Sequence, residues 1–301
     1  MRLPYSSGRG RHNSTRAGAS GPKRDCSQSI APGVVIEIEL SPDGPVGYPE
    51  PATSRIEPLA SSTQGRIEAM CGRFVVAGER RDLLGLFEIE LEGDNLPAAS
   101  YNIRPTDRIN VVVESVKGDE TPVRRLEGAR WALTPSFSPT LATKFPTFNA
   151  RSETVAEKPM FAASVRSKRA LIPASGYYEW KTAGKEKTPF YIHPPEGMIG
   201  LAGLYSWWKD ASLADDDPAR WHLTTTILTR EAGGWLREIH DRTPVPLPPE
   251  WWDDWLDPTI EGDQSFVDAA AEASVSVADA LSVHEVAPIR GDDRADLIAP
   301  L

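Results

Sequence analysis

Residues 70–74 read "MCGRF" and put a thiol directly after a methionine. Small residues such as Cys permit removal of a preceding initiator methionine. That cut would make Cys71 the first residue of the working protein. An N-terminal cysteine carries an amine of pKa about 7.7–8.0 and a thiol near about 8.5. Both are partly nucleophilic at neutral pH. The amine can condense with an aldehyde, and the thiolate can add to the imine carbon to close a five-membered thiazolidine. This chemistry needs amine and thiol on adjacent carbons, so an internal cysteine cannot do it. The plainer reading of the same residues is a buried core cysteine ahead of a strand.

Four further stretches carry residues suited to proton transfer or anion binding. In "FNARSET" (148–154), Asn149 and Arg151 flank Ala150 and point to one side of an extended chain. The amide can orient a substrate and the guanidinium can fork onto a phosphate. A polar loop with Ser152 as a helix N-cap fits equally. In "SGYYEWK" (175–181), alternation puts Tyr177, Glu179 and Lys181 on one face and Tyr178 and Trp180 on the other. A carboxylate among aromatics is expected to be partly buried, which would raise its pKa towards a range useful for proton transfer. The alternative is a surface glutamate on an edge strand. In "REIHDRTPVPL" (237–247), His240 ends a helical stretch before a Pro-rich turn. It has the side chain most suited to acid–base work near neutrality, though a lone histidine is often structural. "YNIRPTDR" (101–108) adds Asn102, Arg104 and Arg108 around Pro105. With Arg73, Arg151, Arg169 and Arg242 these arginines could line one basic groove, or simply solvate the surface.

Positioning these groups requires a mixed α and β chain. Short strands are expected at "GRFVVA", "RINVVVES", "PVRRLEGARWAL", "RALIP", "GYYEWK", "TPFYIH", "MIGLAGLYSWW", "WHLTTTILT" and "LSVHEV". "VKGDET" reads as a hairpin connection. Helices are expected at "ERRDLLGLFEIE", with Leu83, Leu84, Leu86 and Phe87 on one face. Others are expected at "SETVAEKPMFAASV" with a break at Pro159, at "EAGGWLREIH", at "PEWWDDWL" and near 264–273. Many short strands without strict βαβ alternation suggest an α+β fold with a largely antiparallel sheet.

Residues 1–69 differ from the remainder. Their first 24 residues hold six basic side chains, no acidic ones and many Ser and Gly. They lack the apolar run of a secretory signal. "GVVIEIEL" (33–40) is an isolated strand candidate. The composition reads as disorder, or as sequence upstream of the functional start. The formal net charge of −10 argues against coating nucleic acid through bulk charge. No apolar run is long enough to span a membrane. With Cys26 and Cys71 as its only cysteines, the chain has neither a disulfide framework nor a four-cysteine zinc site. A reduced cytoplasmic setting is expected.

"MCGRF", "YNIRP", "RWALTP", "FNARSET", "ALIPASGYYEW" and "IHDRTPV", in this order and spacing, resemble the SOS-response-associated peptidase (SRAP) family. The match runs from Met70 to about Val245, with a looser tail ending "DLIAP". The resemblance implies a single α+β domain over 70–301, with a mostly antiparallel β-barrel-like sheet and surrounding helices. It implies a protein without metal or cofactor that senses abasic sites in single-stranded DNA, nucleoid-associated when bound to damage. A monomer is taken as the default, since the sequence carries no signal for oligomeric state. The family's crosslinking cysteine falls on Cys71, and its other catalytic positions fall on Asn149, Glu179 and His240. The implied DNA contacts are Arg73, Asn102, Pro105, Arg151 and Arg242. Ala132 and Phe137 stand where the family often has Gly and then Trp. The family name implies peptidase-like self-removal of a leader, placing the activity among hydrolases or lyases. Two other functions are compatible with these residues. One is a cysteine-dependent peptidase or amidohydrolase acting on proteins, with His240 as base to the Cys71 thiolate. The other is a noncovalent single-strand binding module.

Overall fold

The computed structural model describes residues 72–116 and 121–301. The disorder expected over 1–69, the strand expected at 33–40, and Met70 and Cys71 lie outside the described residues.

The chain forms β1 (Arg73–Val76), α1 (Arg80–Leu86), β2 (Leu91–Glu92), β3 (Ser100–Ile103), β4 (Arg108–Ser115), β5 (Val123–Trp131) and β6 (Asn149–Arg151). It continues through α2 (Pro159–Ser167), β7 (Arg169–Ala174), β8 (Gly176–Ala183), β9 (Glu186–His193), β10 (Ile199–Lys209) and β11 (Trp221–Glu231). Last come β12 (Arg242–Pro244), β13 (Pro246–Leu247), α3 (Trp252–Leu256), α4 (Gln264–Asp279) and β14 (Ser282–Glu285).

Strands β11, β10, β7, β4 and β5 hydrogen-bond in that order, and β5 returns to β11. The ladders are antiparallel except for this closing pair, which is parallel at Thr224↔Arg130 and Thr225↔Trp131. Closure turns the sheet into a five-stranded barrel and leaves none of its five strands as a bare edge. Apolar side chains from all five strands meet inside: Val112, Trp131, Leu171, Leu201, Leu204 and Ile227 are among those buried. The expected hairpin of "RINVVVES" and "PVRRLEGARW" is present, with Val111 opposite Glu127 and Val113 opposite Arg125.

A second sheet, in the order β14-β9-β8-β1-β3, lies against this core. One face gives Phe74, Tyr177 and Ile192 to the main core. The other carries Val75, Tyr178 and Tyr191, which pack with Val286 and Leu297 from the C-terminal segment. β8 therefore has both faces covered, which is why "GYYE" is buried in full despite its polar members.

Four local expectations need correction. α1 presents Leu83 and Phe87 inward, four residues apart, whereas Leu86 is 41% exposed. Ser152 is not an N-cap: Arg151 occupies that position, and the Ser152 carbonyl accepts from Gln264. "SETVAE" is a 3₁₀ turn, separated from α2 by Pro159 at the helix start, where its missing N–H costs least. "GWLRE" is likewise 3₁₀, entered through Gly234 at φ +51°. The wall of the barrel is tight at Gly203, where an added Cβ would lie 2.7 Å from the Thr226 carbonyl and overlap Ile172. Gly203→Ala is expected to lower unfolding free energy by about 1–3 kcal/mol in denaturant titration. An unchanged midpoint would mean the wall is more yielding than this packing implies.

Candidate active site

β1 and β8 are adjacent and antiparallel, with Arg73 opposite Tyr178. Residues opposite one another share a face, so Arg73 lies on the Tyr178–Trp180 side of β8. Glu179 takes the other side and is only 2% exposed. The two strands open a cleft of about 290 Å³ lined by Gly72, Arg73, Glu179, Trp180, Lys187 and His240. Gly72 is itself buried, so the chain enters the described structure at the cleft wall. Glu179, 61 residues before His240 in sequence, thus comes to line the same space.

His240 follows the 3₁₀ turn and is held by the start of β12. The Arg242 amide N–H donates to His240 Nδ1 at 3.0 Å. The same nitrogen lies 3.1 Å from Asp241 Oδ1, a contact that needs a proton on Nδ1. The Arg242 carbonyl, 3.3 Å away, likewise calls for a proton on Nδ1. The amide contact favours the Nε2–H tautomer and the two oxygens favour Nδ1–H, so the backbone of Arg242 fixes the ring's position whichever nitrogen carries the proton.

Arg73 is held from three sides. Its Nη1 donates to Asn102 Oδ1 at 2.9 Å and to the Arg290 carbonyl at 3.3 Å. Its guanidinium carbon sits 5.9 Å from the Trp180 ring centroid, in cation–π range. Burial and the nearby Arg104 charge hold the Arg73 pKa below its ordinary value, although arginine stays charged. Asn102 is 4% exposed and donates to the carbonyls of Arg290 and Asp292 at 3.0 and 2.5 Å. Its amide is committed inside the protein, where it orients Arg73. Arg104 reaches the Gly291 carbonyl at 2.6 Å, so the C-terminal segment braces this wall through backbone oxygens. Pro105 sits in the turn between β3 and β4, apart from the cleft-lining residues.

Asn149 and Arg151 lie on β6, in parallel register with Ile227 and Thr229 of β11. They line a separate, largely apolar groove of about 350 Å³ with Phe145, Lys158, Met160 and Phe161. Arg151 is exposed there and Phe145 is 61% exposed. Phe137 is 69% exposed, while Ala132 is buried.

Arg242 does not face this groove openly. It is 6% exposed and makes a bidentate pair with Glu153, at 2.7 and 2.9 Å, and donates to the Thr229 carbonyl at 2.6 Å. The pair ties "FNARSET" to "IHDRTPV" and thereby fixes the backbone that holds His240. Arg169 is 1% exposed and spends its donors on the carbonyls of Trp255, Val165, Arg166, Asp257 and Ile260. The arginines of the expected basic groove are therefore dispersed: two are internal struts, and Arg108 lies on the barrel.

Burial alone would raise the Glu153 carboxyl, but hydrogen bonds and charge from Arg242, with backbone donors, hold it below its ordinary value. A lowered folded pKa contributes stability above the unfolded value of about 4.3, lost as pH falls through the folded value. Glu153→Gln is therefore expected to flatten the acid limb of the stability profile, measured by denaturant titration between about pH 5 and pH 2. An unchanged limb would show that the pair does not couple to folding. Burial also pushes the Tyr178 hydroxyl up, and it donates to the Tyr101 carbonyl at 2.9 Å. Thr182 and Lys187, neighbours across the β8–β9 hairpin, line the cleft without having been expected. Only the pairing of their strands brings them there. No cluster of three or more metal-ligating side chains occurs among the described residues, and no helix there is long and apolar enough to cross a membrane.

Residues 70–289 match the SOS response associated peptidase (SRAP) family. The abasic site processing protein YedK of Escherichia coli is 32% identical over 240 residues, covering 77% of this chain and 100% of that protein. The abasic site processing protein YoqW of Bacillus subtilis is 34% identical over 194 residues, covering 63% of this chain and 81% of its own length. A crystal structure of a Bacteroides thetaiotaomicron protein, 21% identical, superposes with a TM-score of 0.61 over 77% of this chain and 100% of that one. At that identity the likeness concerns the fold.

Proposed function

This chain belongs to the SOS response associated peptidase family, and we propose that it processes abasic sites in single-stranded DNA by forming a covalent thiazolidine through Cys71. The observation that carries this reading is the cleft itself. Gly72, the residue after Cys71, lines it together with Glu179 and His240. A thiol and amine at position 71 would stand next to two side chains able to move protons.

The abasic sugar opens to an aldehyde at C1′. The Cys71 amine adds to that carbon, giving a carbinolamine. Protonation of its hydroxyl lets water leave, and the nitrogen lone pair forms the imine. The thiol sulfur then adds to the imine carbon, its proton passes to nitrogen, and the five-membered ring closes. The net change is loss of one water. Glu179 and His240 shuttle the protons. Arg73 holds a backbone phosphate at the cleft, Arg151 and Asn149 hold the strand where it runs along their own groove, and exposed Phe137 and Phe145 offer faces for bases. Asn102 and Arg242 act by orienting Arg73 and the His240 backbone. The mechanism needs a free amine, so residues 1–69 are either upstream of the working start or removed. In the second case the same cysteine, acting on an amide, would make the cut.

The test is to mix protein begun at Met70 with an oligonucleotide carrying one abasic site and look for a band that survives denaturing electrophoresis. Adduct only with the abasic strand supports the proposal. Hydrolysis of peptides without any DNA adduct would replace it with the peptidase reading.

A further inference from the structure

At the N-terminal end of β11, opposite the end that meets β12 near His240, strands β4, β5, β10 and β11 frame another cavity of about 550 Å³. The eleven residues of β11 put roughly 30 Å between these ends. Arg108 of β4 stands directly across from Arg130 of β5. Like charges at opposed positions repel unless an anion lies between them. Among the described residues neither guanidinium has a carboxylate partner. Arg108 Nη2 reaches only the Asp94 carbonyl at 3.3 Å, and Arg130 Nη1 only the Ala132 carbonyl at 3.2 Å. Gly128 has no side chain to lift the Arg108 head from the strand: a Cβ there would overlap its guanidinium.

Two indoles flank the pair. Trp207 is opposite Leu223, and Trp221 is two residues before Leu223, so both rings occupy one face at diagonal positions. They are 40% and 51% exposed. The Lys209 ammonium lies 5.9 Å from the Trp221 ring centroid and pairs with Asp215 at 3.4 Å, which fixes it beside that ring. Of the two carboxylates on the same lining, Asp94 and Glu127, the second is taken up by Arg125 at 2.9 Å. Half-exposed aromatic platforms beside guanidinium groups without a carboxylate partner match the chemistry of a strand of bases and phosphates.

We propose that this face is a second contact for single-stranded DNA, with Trp207 and Trp221 stacking on bases and Arg108 and Arg130 bracketing a backbone phosphate. The choice of DNA rests on the function proposed above; the surface is defined independently of it. The site would hold undamaged strand at a distance from the cleft, so its occupancy does not depend on a lesion.

The test uses the full 301-residue chain and a fluorescent undamaged oligothymidylate of about 20 nucleotides, a length suited to the strand separation above. Fluorescence anisotropy is measured across a salt series. Trp207→Ala/Trp221→Ala is expected to weaken binding about tenfold or more. Arg108→Gln/Arg130→Gln is expected to flatten the log–log salt slope by about 0.7 for the lost phosphate contact. Arg108 is exposed and Arg130 half-buried, and glutamine keeps a donor for the Ala132 carbonyl, so this second variant keeps the test valid should the tryptophan variant fold poorly. Affinity within twofold of the parent and an unchanged slope in the arginine variant would overturn the inference. Adduct formation by protein begun at Met70 is read separately. Its failure would remove the abasic-site function and leave this measurement standing.

Discussion

Replacing Cys71 by serine, in protein whose chain begins at residue 71, is expected to retain the amine and lose the trap. The amine would still condense with the open sugar. A hydroxyl is a far weaker nucleophile than a thiol with a few per cent thiolate at neutral pH. Closure to the oxygen analogue should therefore fall by on the order of 100-fold. The signature is a split between two readouts. Borohydride reduction of the mixture should still fix a band, because it captures the imine. Without reductant the denaturation-resistant band should almost vanish. Cys71→Ala should behave in the same way. Equal unreduced adduct from the serine variant would show that sulfur does not close the ring.

Glu179→Gln is the second large effect. Glutamine keeps the volume and one acceptor oxygen but cannot exchange a proton. Glu179 is 2% exposed on β8, so the substitution changes the cleft chemistry without reshaping its mouth. General acid–base groups contribute about 10²–10⁴ in rate. The adduct-forming rate is therefore expected to fall about 100-fold or more, while affinity for the same strand changes less than about threefold. Single-turnover kinetics with binding measured in parallel gives both values. If rate and affinity fall together, Glu179 is a binding group and its proposed proton transfer is wrong.

How much of this was readable beforehand depends on the distance over which each contact acts. The strands at 108–115 and 123–131 announce themselves through β-branched residues and a hairpin connection, and they pair in that register. Glu179 could be suspected because "YYEW" surrounds a carboxylate with rings, and it is buried. The barrel's closure could not be read: it rests on a two-residue parallel contact between β5 and β11, too short for any pattern. The bracing of Arg73 and of Asn102 beside it has no sequence signal, because it ends on carbonyls of residues 290–292, and every residue has a carbonyl. In sequence, Arg242 and Arg169 read as surface charge that could line a basic groove. Both instead tie distant segments together, one through Glu153 and the other through five backbone oxygens. The extended chain expected at "FNAR" is strand β6, which carries Asn149 and Arg151 along a groove distinct from that of Glu179 and His240.

The dependence on a chain terminus is tested most directly by intact-mass spectrometry of the denatured reaction products. Two proteins are compared, one begun at Met70 with that methionine removed and one retaining everything upstream of Cys71, each mixed with the same abasic strand. The proposal predicts that the first gains the mass of the oligonucleotide less one water and that the second, while its upstream residues remain attached, gains nothing. A stable adduct of that mass on the second protein, with its upstream residues intact, would contradict it.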